Sequence, residues 1–431
     1  METTQRPDTP SLTTRHQNDV VNAAFDGVRR GLRFVDAHLG IALLLVVLAL
    51  VGIGAVVIYS ASAKMALNLT DSADPGLYFK RHLFALGISL AVMAVACTFS
   101  VERLRALAPK LYAAAMILLV LVLIPGLGTE LNGARRWFRF GGGLGFQPSD
   151  LAKIALVLML AVHLSRRKAQ NSLHSFSHGF LPAAALIAPV VLLIVLAPDF
   201  GTTLFVCMLA GGVFLVAGGR LRHLALAAAP GVIALGAIVV AKFEHVRPRL
   251  ESYLNPTADA SGAGYQVLQG LIAIGAGGKT GVGLGESRQS LFYLPEMSTD
   301  FIFAILAEET GFVGAAGVLL LYLAVALLGF RIAARATTRF AQLAAAGLTL
   351  AVVLQAALNV AVVTAAVPNT GIPLPFISYG GSLTFFYLLG VGIMLSIARS
   401  LPATQYTTGE AVPPAECEAA PRTEVSTGQA A

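Results

Sequence analysis

Ten runs of apolar residues, each close to the length of a membrane crossing, occupy most of residues 39–398 and leave this chain few ways to fold. A hydrocarbon core about 30 Å thick takes about 20 apolar residues of helix per crossing. The runs fall at 39–60, 82–98, 108–125, 148–164, 180–197, 202–218, 222–241, 301–328, 340–364 and 377–398. Only 12% of the residues are charged and 56% are hydrophobic, whereas a soluble domain carries about 25% charge. That supply cannot cover a water-facing surface, but it suits lipid-facing helices whose backbone groups are satisfied internally. The expectation is an all-α integral membrane protein, a polytopic bundle of about ten transmembrane helices.

Lysine and arginine set the orientation. With the N-terminus in the cytoplasm, 18 of them fall inside, 11 outside, and Lys153 within a span. Both termini are then cytoplasmic. Residues 242–300, between spans seven and eight, form a large extracytoplasmic loop, too long to be a mere connector. Residues 1–38 and 399–431 read as cytoplasmic, largely disordered segments flanking a transmembrane domain at 39–398. The first apolar run follows a polar segment and reads as a retained helix. The net charge of +7 is dispersed in short clusters between apolar runs, a pattern that suits anionic lipid and not nucleic acid. Cys97 and Cys207 lie in apolar runs and Cys417 in the tail, so no disulfide framework or metal cluster is expected. GAGGKTG lacks phosphate-loop spacing, and no HExxH, CxxC or nucleophile elbow occurs.

Ionisable residues near spans cost energy and need a reason to be there. Asp300, in PEMSTDFIFA, ends the outer loop at the start of span eight. It is either a favourable charge at a helix N-terminus or a general base at the water–lipid boundary. Glu308 and Glu309 follow about two turns deeper, and helical geometry sends them to different faces. One is expected to support a site and the other to pair with another helix. Arg135, Arg136 and Arg139 flank Trp137, the only tryptophan, on an outer loop. They are interfacial anchors or a cradle for phosphate oxygens. Asp150 and Lys153 share a helix face, as an ion pair or with Lys153 free for a phosphate. Asp199 caps the sixth span or takes part in a site. The stretch VPNTGIPLPFISYGGS, residues 367–382, reads as irregular backbone lining a cavity.

Taken together, YSASA, NGARRW, FQPSDLAK, PDFGT, the block from GYQVLQGLIAIG to YLPEMSTDFIFAILAEETGF, and TGIPLPFISYGGS resemble the SEDS family, which contains FtsW, RodA and SpoVE. LIPGLGTELNGARRW and GLGESRQSLFYLPE look closer to its division members than to RodA. The resemblance implies a ten-span fold and a peptidoglycan glycosyltransferase that uses lipid II beside a class B penicillin-binding protein and other division proteins. It makes Asp300 the catalytic aspartate, and Trp137, Arg135, Arg136, Lys153, Glu296 and Gln147 the substrate-binding candidates. Glu308, Asp199, Ser378 and Tyr379 are expected to support them. A divalent cation, magnesium or manganese, would help to neutralise the departing diphosphate. Ser298 stands where the family often has His, Leu383 replaces the second Ser of GGSS, and Thr310 stands where Leu is usual. The rival readings are a lipid II flippase or transporter, an elongation polymerase of the RodA type, and a non-catalytic scaffold. The candidates gather on the outer side, which favours an enzyme.

Overall fold

The computed structural model describes residues 38–69, 76–131, 134–140, 144–166, 172–226, 229, 264–289 and 299–402. Residues 1–37 and 403–431 of the expected terminal segments, most of the seventh span and Glu296 lie outside the described residues.

The helices are α1 (Leu39–Leu69), α2 (Leu77–Cys97), α3 (Val101–Leu123), α4 (Pro148–Leu164), α5 (Leu181–Leu196), α6 (Phe200–Val216), α7 (Tyr265–Gly277), α8 (Ile302–Arg335), α9 (Arg339–Val363) and α10 (Gly381–Arg399). Nine of the ten expected spans are therefore helical in the described residues. Seven segments there are long and apolar enough to cross a membrane. The short turns between helices are closed by their own polar residues. Ser100 caps α3 by accepting from the Arg103 amide at 3.3 Å, and Thr338 caps α9 by accepting from the Ala341 amide at 3.2 Å. Such caps satisfy amides that the first helical turn leaves open.

α4, α9 and α10 form the interior. Almost every residue of α4 is buried, and it packs against α3, α5, α6, α9 and α10. Around this centre, α1, α2, α3, α5 and α8 turn Leu45, Phe84, Ile117, Leu192 and Leu320 outward. Lipid is as apolar as these side chains, so close packing of small residues, not hydrophobicity, holds the bundle together. Gly54 of α1 illustrates this: a Cβ there would sit 2.5 Å from the Phe376 carbonyl oxygen.

The all-helical expectation holds for the apolar spans and misses a small three-stranded sheet. Strands β1 (Thr129–Leu131), β2 (Ala134–Phe140) and β3 (Leu144–Phe146) pair antiparallel in that order, with Thr129 opposite Trp137 and Phe138 opposite Phe146. The signal was present in the aromatic, alternating ARRWFRF, a pattern that fits a half-buried strand.

The outer loop is also partly helical. α7 lies along the first turns of α8, with Gly270 against the Phe301 ring and Gly277 against the Ala307 carbonyl. α8 is interrupted at Gly311, whose φ of 66° and ψ of −168° belong to a region open essentially to glycine alone. Residues 278–283 repair the break. The Val282 and Gly283 amides donate to the Glu308 and Glu309 carbonyls at 3.0 and 3.1 Å, and the Phe312 and Val313 amides donate to the Gly278 and Lys279 carbonyls at 2.9 and 3.2 Å. Irregular backbone survives at membrane depth because a neighbour satisfies it. Gly311→Ala should destabilise the fold by on the order of 1–3 kcal/mol from backbone strain alone. The same Cβ would press on the Gly281 amide, so a lowered thermal midpoint in detergent is expected.

Candidate active site

Asp300 stands two residues before Ile302, half-buried, where the start of α8 meets α9 and the irregular segment 364–380. Its backbone is fixed by two separate side chains. Ser378 Oγ donates to the Thr299 carbonyl at 2.6 Å while accepting from the Leu374 amide at 2.7 Å. Asn359 Nδ2 donates to the Asp300 carbonyl at 2.7 Å and to the Ile372 carbonyl at 2.8 Å. Gln355, one turn earlier on α9, donates to the Pro373 carbonyl at 2.9 Å, and the Tyr322 hydroxyl of α8 donates to Pro375. Gly371, with φ of 65°, lets the backbone pass the Asp300 carboxylate: a Cβ there would lie 3.4 Å from Oδ2. Side chains of α8, α9 and Ser378 thus fix the carbonyls of residues 299, 300, 372, 373 and 375.

The basic side of the site begins at the outer sheet. Arg136 donates to the carbonyls of Ala197 (3.2 Å) and Pro198 (2.5 Å) and lies 3.8 Å from Asp199 Oδ1. Asp199 also caps α6, accepting from the Thr202 amide at 3.2 Å, and takes a 3.4 Å contact from Gln147 Nε2. Arg135 pairs with Glu130 at 3.1 Å across the strand turn, and Arg139 is exposed. Trp137 is half-buried, with its ring packed over Gly145.

The two sides meet through backbone. Gly201, at the start of α6, is pressed against the Thr370 carbonyl, and the next residue, Gly371, faces the Asp300 carboxylate, which a Cβ there would meet at 3.4 Å. The Arg136–Asp199 turn and Asp300 therefore border one segment of chain. This rim combines a half-buried carboxylate with the guanidinium group of Arg136.

Lys153 is placed differently from the reading that leaves it free. It pairs with Asp150 Oδ1 at 2.9 Å, both side chains being under a tenth exposed. It also reaches Gln355 Oε1 at 3.5 Å and lies 5.3 Å from the centre of the Phe205 ring. Asp150 Oδ2 accepts from Ser382 Oγ at 2.9 Å, and Ser382 accepts from the Gln147 amide at 3.0 Å. A buried charge pair of this kind survives only with such added hydrogen bonds.

Glu308 and Glu309 leave α8 in different directions, as helical geometry requires, yet both meet the same loop. Glu308 accepts from the Arg288 amide at 3.0 Å and from Ser287 Oγ; Glu309 accepts from the Gly285 amide at 3.2 Å and from Ser60 Oγ of α1. As expected, Glu309 reaches another helix through Ser60 of α1; beyond that expectation, both glutamates also grip residues 285–288 of the same loop. Tyr379 stands edge-on to Tyr78, with ring centres 6.1 Å apart, and beside His82 of α2 at 6.0 Å. Among the described residues no three His, Cys, Asp or Glu side chains gather as a metal cage.

Comparison with known proteins agrees with this layout. The cell cycle protein family of FtsW, RodA and SpoVE matches residues 41–402. This chain belongs to that family. It is 39% identical to the stage V sporulation protein E of Bacillus subtilis over 83% of this chain and 96% of that protein. It is 38% identical to the "Probable peptidoglycan glycosyltransferase FtsW" of Geobacter sulfurreducens, over 84% of this chain and 95% of that one. Among solved structures it resembles a chain of a peptidoglycan synthase complex that coordinates polymerization and crosslinking, with a TM-score of 0.67, 32% identity and coverage of 84% and 98%. It also resembles the rod shape determining protein RodA of Thermus thermophilus, with a TM-score of 0.59, 33% identity and coverage of 83% and 95%. The chain is a multi-pass membrane protein of this family.

Gln355 and Asn359 were not singled out from the sequence. Their signal was two amides four residues apart inside an apolar span, VLQAALNV, where each must find a partner. The clamp on residues 278–289 carries its own test. Glu308→Ala strands the Arg288 amide, and amide hydrogen exchange across 278–289 should speed up while exchange in α4 stays slow.

Proposed function

We propose that the chain is a peptidoglycan glycosyltransferase that polymerises lipid II on the outer face of the bacterial cytoplasmic membrane. One observation carries the reading: a half-buried carboxylate with an anchored backbone, Asp300, and an arginine-bearing turn border the same short stretch of backbone. Sugar transfer from a lipid diphosphate needs those two functions, a base for the acceptor and positive charge for the leaving group.

The acceptor is the 4-hydroxyl of one lipid-linked sugar. Its oxygen forms a bond to the anomeric carbon of the other lipid-linked chain, and Asp300 takes the proton. The bond from that carbon to the diphosphate breaks, with inversion, and the electron pair leaves on the lipid diphosphate. Arg136 and Arg135 meet that charge at the outer sheet. Arginine suits this task because its planar fork matches phosphate oxygens. Trp137, Gln147 and Glu296 complete the substrate-binding set; Ser378, Tyr379, Asp199 and Glu308 support the backbone around it.

The positive-inside count supports an orientation with both termini in the cytoplasm and the outer sheet facing the cell wall. The relative found in a complex that coordinates polymerization and crosslinking supports a partner that crosslinks the strands; the resemblance of the motifs to the division members is what favours a class B penicillin-binding protein as that partner and a septal role.

Asp300→Asn keeps the shape of the side chain and removes the base. Purified with a cognate penicillin-binding protein and given lipid II, this variant should make at least ~100-fold less glycan strand on a gel, the size of effect that loss of a general base produces. Its insertion and thermal midpoint should remain those of the parent. Full polymerisation by the variant overturns the assignment.

A further inference from the structure

We propose that Lys153 is a positioning residue for Asp300, acting through the Gln355 amide, and does not bind the lipid diphosphate. The inference rests on the reading of Asp300 as the base.

Lys153 has its surroundings filled: Asp150 at 2.9 Å, Gln355 Oε1 at 3.5 Å and the face of Phe205 at 5.3 Å, with 7% of its side chain exposed. A phosphate could reach it only by displacing Asp150 and stranding that buried carboxylate, an expensive exchange. The next link is Gln355. Its Oε1 accepts from Lys153 and from the Tyr387 hydroxyl at 2.5 Å, and its Nε2 donates to the Pro373 carbonyl at 2.9 Å. An amide has an acceptor end and a donor end, so two donors on one side dictate which end faces the other side. Lys153 and Tyr387 thereby aim the Nε2 group at residue 373. Remove them and the amide is free to turn its oxygen toward the Pro373 carbonyl, where two acceptors repel.

The loop cannot compensate for that loss. Pro373 and Pro375 supply no amide hydrogens, and the segment between them is buried. The neighbouring carbonyl, Ile372, shares Asn359 Nδ2 with the carbonyl of Asp300. A shift at residue 373 is therefore passed through one amide group to the base. Gln355 and Asn359 are each fully buried, one helical turn apart on α9, and together they make a continuous tether from the Lys153–Asp150 pair to Asp300.

The kinetic signature separates the two roles. A diphosphate ligand lost from the site weakens lipid II binding, whereas a slackened tether misaligns the base and slows turnover. Lys153→Met alone leaves Asp150 unpaired and risks misfolding, so the paired variant Asp150→Leu/Lys153→Met is tested beside it, with Gln355→Met as the near-isosteric break in the tether. With purified protein, partner synthase and lipid II, each should lower kcat at least ~10-fold and move KM less than ~3-fold. The combination of Gln355→Met with the charge-pair variant should be no slower than the slower parent by more than ~2-fold, because both cut one tether. Direct lipid II binding, measured in an Asp300→Asn background, should be unchanged by the charge-pair variant. A ~10-fold loss of lipid II affinity on removing Lys153, or rate losses that multiply, overturns the positioning role and leaves Asp300 as the base. Retained polymerisation by Asp300→Asn overturns the base and this inference together.

Discussion

Two consecutive carbonyls, those of Thr299 and Asp300, are held by Ser378 and Asn359, and the geometry of the outer rim depends on that pair of hydrogen bonds. They occur where α8 has not yet begun and the chain has no helical partner of its own. Where such groups are screened from water, protein donors must meet them. The solution is to let one irregular segment, 364–380, and one helix, α9, satisfy one another and the start of α8 together. A carboxylate mounted on backbone that is fixed at two successive residues can be aimed. Preorganisation of this kind is what places a base within reach of its proton.

Charge inside the bundle follows the same logic. Lys153, Asp150, Glu308 and Glu309 are all buried, and each has hydrogen-bonding partners within the protein. The lysine–aspartate pair is buried in the first turns of α4 and is hydrogen-bonded onward to Ser382 and Gln355. The two glutamates grip amides of residues 285 and 288 and, at Glu309, a serine of α1. None of these is a bare charge in hydrocarbon, which would cost several kcal/mol. They organise backbone that cannot organise itself, and the outer carboxylate and arginines are thereby left on the rim.

Much of this was legible in the residues. The apolar runs located nine helices, with ends that differ by up to nine residues, because burial in lipid demands an apolar length while a helix can run on past it. Asp300, the arginine cluster and Ser378 stood out because polar groups are conspicuous beside such runs. Three things were not legible. The β-strands at 129–146 were masked by glycine-rich flanks. The shared grip of Glu308 and Glu309 depends on a loop winding round a break at Gly311, which sequence spacing alone does not show. The tether through Gln355 and Asn359 depends on which carbonyls a distant loop presents, a tertiary fact. Lys153 showed both sides of the matter: the ion pair with Asp150 was one of two readings from spacing, and only packing against Phe205 and Gln355 decided between them.

The account stands most directly on where the substrate sits. A structure of the Asp300→Asn variant with lipid II bound would show it. The account predicts the diphosphate against Arg136 at the outer sheet, the acceptor hydroxyl within hydrogen-bond distance of residue 300, and the Lys153–Asp150 pair intact behind them. A headgroup seated away from residue 300, or a diphosphate that has replaced Asp150 on Lys153, would contradict it.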